Sequence, residues 1–103
     1  MPQTRPPRLS RQQKKLGMYY TYVLISQKDS KFYIGYTSNL KKRFREHNEG
    51  KVSSTTSRLP LKLIYYEACI NEFDAKKRER YFKSGYGRRF LHNRLEKYFE
   101  ESS

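Results

Sequence analysis

The run YYTYVLIS at residues 19–26 sets the tightest constraint on how this chain folds. Aromatic and β-branched residues fill consecutive positions instead of alternate ones. An extended segment of this kind carries apolar side chains on both faces, so it is a strand that must be covered on both sides. A second short run, FYIGYT at 32–37, follows the polar turn QKDSK. Two strands this close in sequence pair most simply as an antiparallel hairpin. LKLIYYEA at 61–68 reads as a third strand.

Three helical segments supply the cover. Ser38 or Asn39 is placed to cap a helix over LKKRFREHNE, with Gly50 as its left-handed stop. KVSSTTSRLP then reads as a polar loop of small residues ending in proline. Asn71 with Asp74 resembles a capping box for a helix through FDAKKRERYFKS, ending near Gly85. Gly87 separates it from a last helix over about 88–100, where Leu91, Leu95 and Tyr98 share a face beside Phe90 and Phe99. The expected fold is α/β, a small three-stranded antiparallel sheet flanked by three helices in the order β-β-α-β-α-α. No internal repeat is present.

A chain of 103 residues holds one domain. Residues 18–100 are expected to form it, with residues 101–103 a disordered C-terminus and residues 1–17 a disordered basic tail. The tail carries Arg5, Arg8, Arg11, Lys14 and Lys15 and no acid. Those five charges are less than half of the net +13, so the folded part is basic on its own. A compact body so charged is suited to a polyanionic partner. Cys69 is the single cysteine, which excludes an internal disulfide and a cysteine-based zinc site and suits a reducing compartment. No stretch is long and apolar enough to span a membrane, and no secretory signal is recognisable. A cytoplasmic, nucleoid-associated location is the expectation.

Four residues stand out for chemistry. Gly35 lies mid-strand in Tyr33-Ile34-Gly35, where glycine marks close approach of backbone or ligand. Arg43 and His47 fall one helical turn apart, a pair able to hold a phosphate and handle a proton, although a solvated basic face is the plainer reading. Glu79 sits between Arg78 and Arg80 in KKRER, on the same stripe as Ala75 and Phe82. An inward carboxylate needs a cation beside it, either a neighbouring Lys or Arg or a metal ion.

Together these residues resemble the GIY-YIG endonuclease domain. Tyr20, Thr21 and Tyr22 stand at its first motif, with only the tyrosine kept, and Tyr33-Ile34-Gly35 is an intact second motif. Arg43 and His47 stand at the family's spacing on the next helix, and Glu79 stands where the family binds metal. The likeness covers about residues 18–98 and is closest to small stand-alone members. It implies a metal-dependent DNA endonuclease hydrolysing phosphodiester bonds, structure-selective or weakly sequence-specific. Glu79 would hold magnesium or manganese, Arg43 would bind the phosphate, and Tyr22 or Tyr33, helped by His47, would activate the attacking water. Lys41, Lys42, Arg45 and Arg58 would track the DNA backbone, as would Lys76, Arg88 and Arg89. Gly35 and Asn93 complete the expected DNA-contacting set. The partners implied are duplex or branched DNA and a targeting protein, in a process such as DNA repair. A nucleic-acid-binding module of the same fold with little or no cleavage is the alternative, and a basic RNA- or ribosome-associated protein is a third.

Overall fold

A computed structural model describes residues 17–102. The basic tail, Gly17 excepted, lies outside the described residues. Three strands, β1 (Tyr19–Ser26), β2 (Phe32–Thr37) and β3 (Leu61–Cys69), form one antiparallel sheet in the order β2-β1-β3. The strand with two apolar faces is thus the central one. Thr21, Tyr22, Val23 and Leu24 are all buried.

The two faces have separate cores. On one, Val23 and Ile34 pack against Phe82 of α2 (Glu72–Phe82) and Leu91 of α3 (Gly85–Arg94). On the other, Tyr22, Leu24 and Leu61 pack against Leu40 and Phe44 of α1 (Leu40–Asn48). A bulge helps β3 serve both. Val23 pairs with Tyr65 and Leu24 with Leu63, so Ile64 is an extra residue that resets the alternation along the strand. Thr21 is the polar member of the central strand, and its Oγ1 donates to the Ala75 carbonyl at 2.7 Å, fastening β1 to α2.

The caps are local consequences of sequence. The Asn39 side chain accepts from the Lys42 amide, and Gly50 follows α1 at φ +76°. The Asn71 side chain accepts from the Phe73 and Asp74 amides at the start of α2.

Three expectations change. Gly87 does not separate helices: α3 starts at Gly85, capped by the Ser84 hydroxyl, and Gly87 is buried in its first turn. The last segment is two helices, α3 and α4 (Glu96–Ser102), broken at Leu95. The break turns α4 so that Phe99 reaches Phe32 on β2 and His92 on α3, with ring centres 6.0 and 4.7 Å apart. This tertiary packing overrides the uninterrupted apolar spacing. Glu101 and Ser102, placed in a disordered terminus by the sequence, continue α4.

The segment over 51–60 is also more ordered than its composition suggests. It holds a single 3-10 turn, Thr56–Arg58, and buries Val52 and Thr55. Arg58 donates to the carbonyls of Lys31 and Phe32 at 2.9 and 3.1 Å and pairs with Asp29 at 3.6 Å.

Gly87 is required by close approach. A Cβ there would lie 1.9 Å from the Tyr81 carbonyl oxygen, whereas one at Gly85 meets nothing within 4 Å. Gly87→Ala is expected to lower stability by about 3 kcal/mol or more. Gly85→Ala should change it by less than about 0.5 kcal/mol. Urea unfolding of the two variants checks the contrast, and equal midpoints would contradict the packing described here.

Candidate active site

The site begins at the register of the first hairpin. Tyr22 on β1 is paired with Gly35 on β2. The phenol leans directly over Gly35, where a Cβ would lie 2.5 Å from Tyr22 Oη and 2.6 Å from Cζ. Any other residue at 35 would expel the ring from this position. Gly35, expected among the DNA contacts, is the seat of the tyrosine.

The ring's hydroxyl meets His47 of α1. Tyr22 Oη is 3.0 Å from His47 Nε2, and His47 Nδ1 is 2.8 Å from Thr55 Oγ1. Thr55 Oγ1 also lies 3.4 Å from the Val52 carbonyl. The neutral ring carries one proton: with it on Nδ1, donated to Thr55 Oγ1, Nε2 holds a lone pair and accepts from the Tyr22 O–H; with it on Nε2, both bonds run the other way. The whole chain is buried, and no buried side-chain polar atom among the described residues lacks a partner. Burial, then the Arg43 charge, lowers the His47 pKa to about 4, with Glu46 opposing. Neutral imidazole is therefore the resting form.

Burial pushes the Tyr22 phenol up to about 12, and Arg43 acts against it more than any other group. The negative charge of Glu79 and the neighbouring Tyr33 add to the rise. Tyr33 lies edge-on to His47, with ring centres 4.9 Å apart, and 6.3 Å from the Tyr22 ring centre. Arg43 holds Glu46 at 3.3 Å while more than a third of its side chain stays open to solvent. Tyr22, Tyr33, Arg43 and His47 thus form one cluster, and the field of Glu79 reaches it from α2.

Glu79 takes the plainer of its two sequence readings in part: its Oε2 is 3.2 Å from Lys83 Nζ, one turn along α2. Its acidic neighbours are held more firmly. Arg78 grips Glu67 with two hydrogen bonds of 2.8 and 2.7 Å. Glu72 accepts from the Tyr36 hydroxyl and pairs with Lys76 at 3.6 Å. The Tyr36 bond and the Lys76 charge hold the Glu72 carboxyl below its usual range. Among the described residues, Glu79 is bound only by one flexible lysine, and it keeps 23% of its side chain exposed.

No cluster of three or more His, Cys, Asp or Glu able to hold a metal occurs among the described residues. A single open carboxylate nevertheless fits magnesium, which keeps several waters and takes its remaining oxygens from substrate phosphate.

The other expected contacts divide. Lys41, Lys42 and Arg45 are exposed on α1. Arg88 and Arg89 are exposed on α3; Arg88 donates to the Lys83 carbonyl at 2.9 Å, and Arg89 lies over the Tyr86 ring at 5.7 Å. Lys76 is drawn to Glu72 and over the Tyr36 ring at 5.3 Å. Arg58 is committed to the carbonyls that open β2, so its guanidinium serves the fold. Asn93 is exposed on α3 and joins none of the contacts of the tyrosine–histidine cluster. Thr55 is the residue that sequence reasoning missed. Nothing in a run of serines and threonines marks the one that folds under.

The lowered His47 pKa ties the fold to pH. The unfolded histidine takes its proton near 6.5 and the folded one only near 4. The neutral ring's contribution is therefore complete above about 6.5 and is lost as pH falls toward 4. The loss should reach about 2–3 kcal/mol at pH 4. Urea unfolding at pH 7.5 and 4.5 checks this, and His47→Gln should show a clearly smaller difference between the two pH values. A native stability that stays flat over this range would contradict the neutral, buried imidazole.

Known proteins place this geometry. Residues 18–98 match the GIY-YIG catalytic domain. A UPF0213 protein of Bacillus licheniformis is 40% identical over 84 residues, 81% of this chain and 80% of the relative. UPF0213 proteins of Clostridium perfringens and Limosilactobacillus reuteri are 43% and 44% identical over 67 and 68 residues, which is 64% and 63% of this chain and 71% and 70% of theirs. The match spans the hairpin that seats Tyr22 on Gly35, the helix bearing Arg43 and His47, and the helix bearing Glu79, and the chain belongs to the GIY-YIG family.

Proposed function

We propose that the chain is a metal-dependent endonuclease that hydrolyses DNA phosphodiesters, structure-selective or weakly specific for sequence. The observation that carries this reading is the hydrogen-bond chain from Tyr22 through His47 to Thr55. A buried tyrosine that donates to a neutral imidazole in its Nδ1–H tautomer is equipped to pass a proton onward. A hydroxyl serving only the packing would gain as much from a backbone carbonyl. The same cluster carries a half-open arginine and faces an acid on another element.

The roles follow from position. Arg43 binds the scissile phosphate and counters its growing charge. The reacting water gives its proton to Tyr22 Oη while Tyr22 passes its own to His47 Nε2. Thr55 fixes the ring so that Nε2 faces the phenol. An isolated tyrosine raised to about 12 is a poor base carrier at neutral pH. The relay avoids a free phenolate, because the oxygen loses one proton as it gains another. Tyr33, beside Tyr22 and edge-on to the imidazole, walls the site and orders the approach. Glu79 would hold magnesium or manganese, which when bound neutralises charge on the phosphate and on the leaving oxygen. Exposed cations on α1 and α3 supply salt-dependent, sequence-independent affinity for the backbone.

Nicking of supercoiled plasmid and of branched oligonucleotide duplexes with magnesium tests the proposal. Native protein should cut, and chelation should stop it. Glu79→Gln should lower the rate by about a thousandfold or more, and Tyr22→Phe by about a hundredfold or more. Binding without magnesium-dependent nicking on every substrate would overturn the enzyme reading in favour of a binding module of the same fold. Nicking that Glu79→Gln leaves intact would remove Glu79 from the metal site.

A further inference from the structure

A groove of about 520 Å³ lies beside the cluster, where the start of β2 meets the end of α2 and the helices α3 and α4. Its lining combines two kinds of group. Lys31, Lys83 and Arg88 bring positive charge, and Phe32, His92 and Phe99 bring aromatic surface. The His92 ring stacks on Phe32 with centres 5.4 Å apart and planes 27° apart, and it lies 4.7 Å from Phe99 at 31°. Phe32 and Phe99 are also 6.0 Å apart, so the three rings form one triangular cluster, and His92 is its exposed member. Among the described residues, no acid lines the groove. Among the described residues, neither Lys31 nor Arg88 joins an ion pair.

We propose that this groove binds an unpaired segment of the DNA substrate next to the scissile phosphate, with bases on the His92 platform and phosphates on Lys31, Lys83 and Arg88. Two arguments select this occupant. Cations without carboxylate partners call for an anion, and flat rings call for a π-face; single-stranded nucleic acid offers both at nucleotide spacing. The volume is that of a small-molecule pocket, enough for one or two nucleotides and closed to a stiff duplex whose bases are stacked inside.

Continuity with the active site fixes the location. Tyr33 lines the groove and also touches His47, and Lys83 lines it while paired to Glu79. The groove opens on the α2–α3 face of the sheet and the Tyr22–His47 cluster on the α1 face; the edge strand β2, through Tyr33, and α2, through the Lys83–Glu79 pair, connect the two. The inference rests on the nuclease reading for the words "scissile phosphate", but the binding site stands or falls separately.

Fluorescence anisotropy with the full chain in EDTA tests it, since no cleavage then intervenes. The probes are a labelled ten-nucleotide oligothymidine and a blunt twenty-base-pair duplex. Native protein should bind the single strand, with affinity falling as salt rises. His92→Ala should weaken single-strand binding about tenfold and duplex binding less than twofold, while His92→Phe should stay within about threefold of native. Lys31→Ala, at an exposed position, should lower the salt slope for the single strand by about 0.7. Single-strand binding that is absent in native protein, or unchanged by both alanine variants, overturns the proposal. An equal loss on single strand and duplex also overturns it, because it marks general charge attraction. Groove-dependent single-strand binding without any magnesium-dependent nicking supports the groove and removes only the nuclease reading.

Discussion

The absence of a side chain at Gly35 is the constraint on which the rest of the site depends. Tyr22 can lie across the hairpin because nothing projects from the residue paired with it. That position puts its hydroxyl against His47, and a buried hydroxyl without a partner costs roughly 1–3 kcal/mol. The histidine in turn needs a partner for its other nitrogen, and the segment over 51–60 folds inward to supply Thr55. One missing Cβ on β2 thus governs the seat of a strand residue, the inward face of α1 and the course of a connection between helix and strand. Each link satisfies the polar atom exposed by the one before, which is how a small protein buries a polar chain beside its core without a deficit.

The architecture follows as plainly from β1. A strand with two apolar faces cannot sit at an edge, and it took the centre, with α1 on one side and α2 and α3 on the other. The strand bounds, the Asn39 and Asn71 caps and the left-handed Gly50 were legible because each rests on local chemistry. The misread features are those that only tertiary contact decides. Leu91, Leu95 and Tyr98 keep helical spacing, yet the helix breaks at Leu95 because Phe99 packs back on Phe32 and His92. Gly87 looked like a break because glycine usually is one, but here it admits the Tyr81 carbonyl. Tyr22, Tyr33, Arg43 and His47 were legible through spacing and family likeness. Thr55 was not, since its hydroxyl gains meaning only once the loop has folded.

Charge is distributed with the same economy. The chain has 23 basic and 10 acidic residues, and among the described residues seven of the acids pair with a cation. The bidentate Arg78–Glu67 pair is the firm kind and ties α2 to β3. The guanidinium of Arg78 also lies over the Tyr81, Phe82 and Phe90 rings, at 4.8, 4.7 and 5.4 Å, so it is a packing element as much as a charge. Surplus cations are left on α1 and along the groove, where a polyanion would neutralise them.

Glu79 is the exception that links these parts. Its lysine partner lies one helical turn away on an exposed, flexible stem, and such pairs are worth only a few tenths of a kcal/mol. A pair this weak leaves the carboxylate available to a divalent ion, whose attraction for it is larger. Lys83 released from Glu79 remains in a groove already lined by Lys31 and Arg88, where added positive charge favours a phosphate. Ion binding at Glu79 and strand binding in the groove would then reinforce each other, because each removes the lysine from a competing carboxylate or supplies it to an anion. The short step from Glu79 to Lys83 on α2 would thereby couple the proposed metal site to the groove.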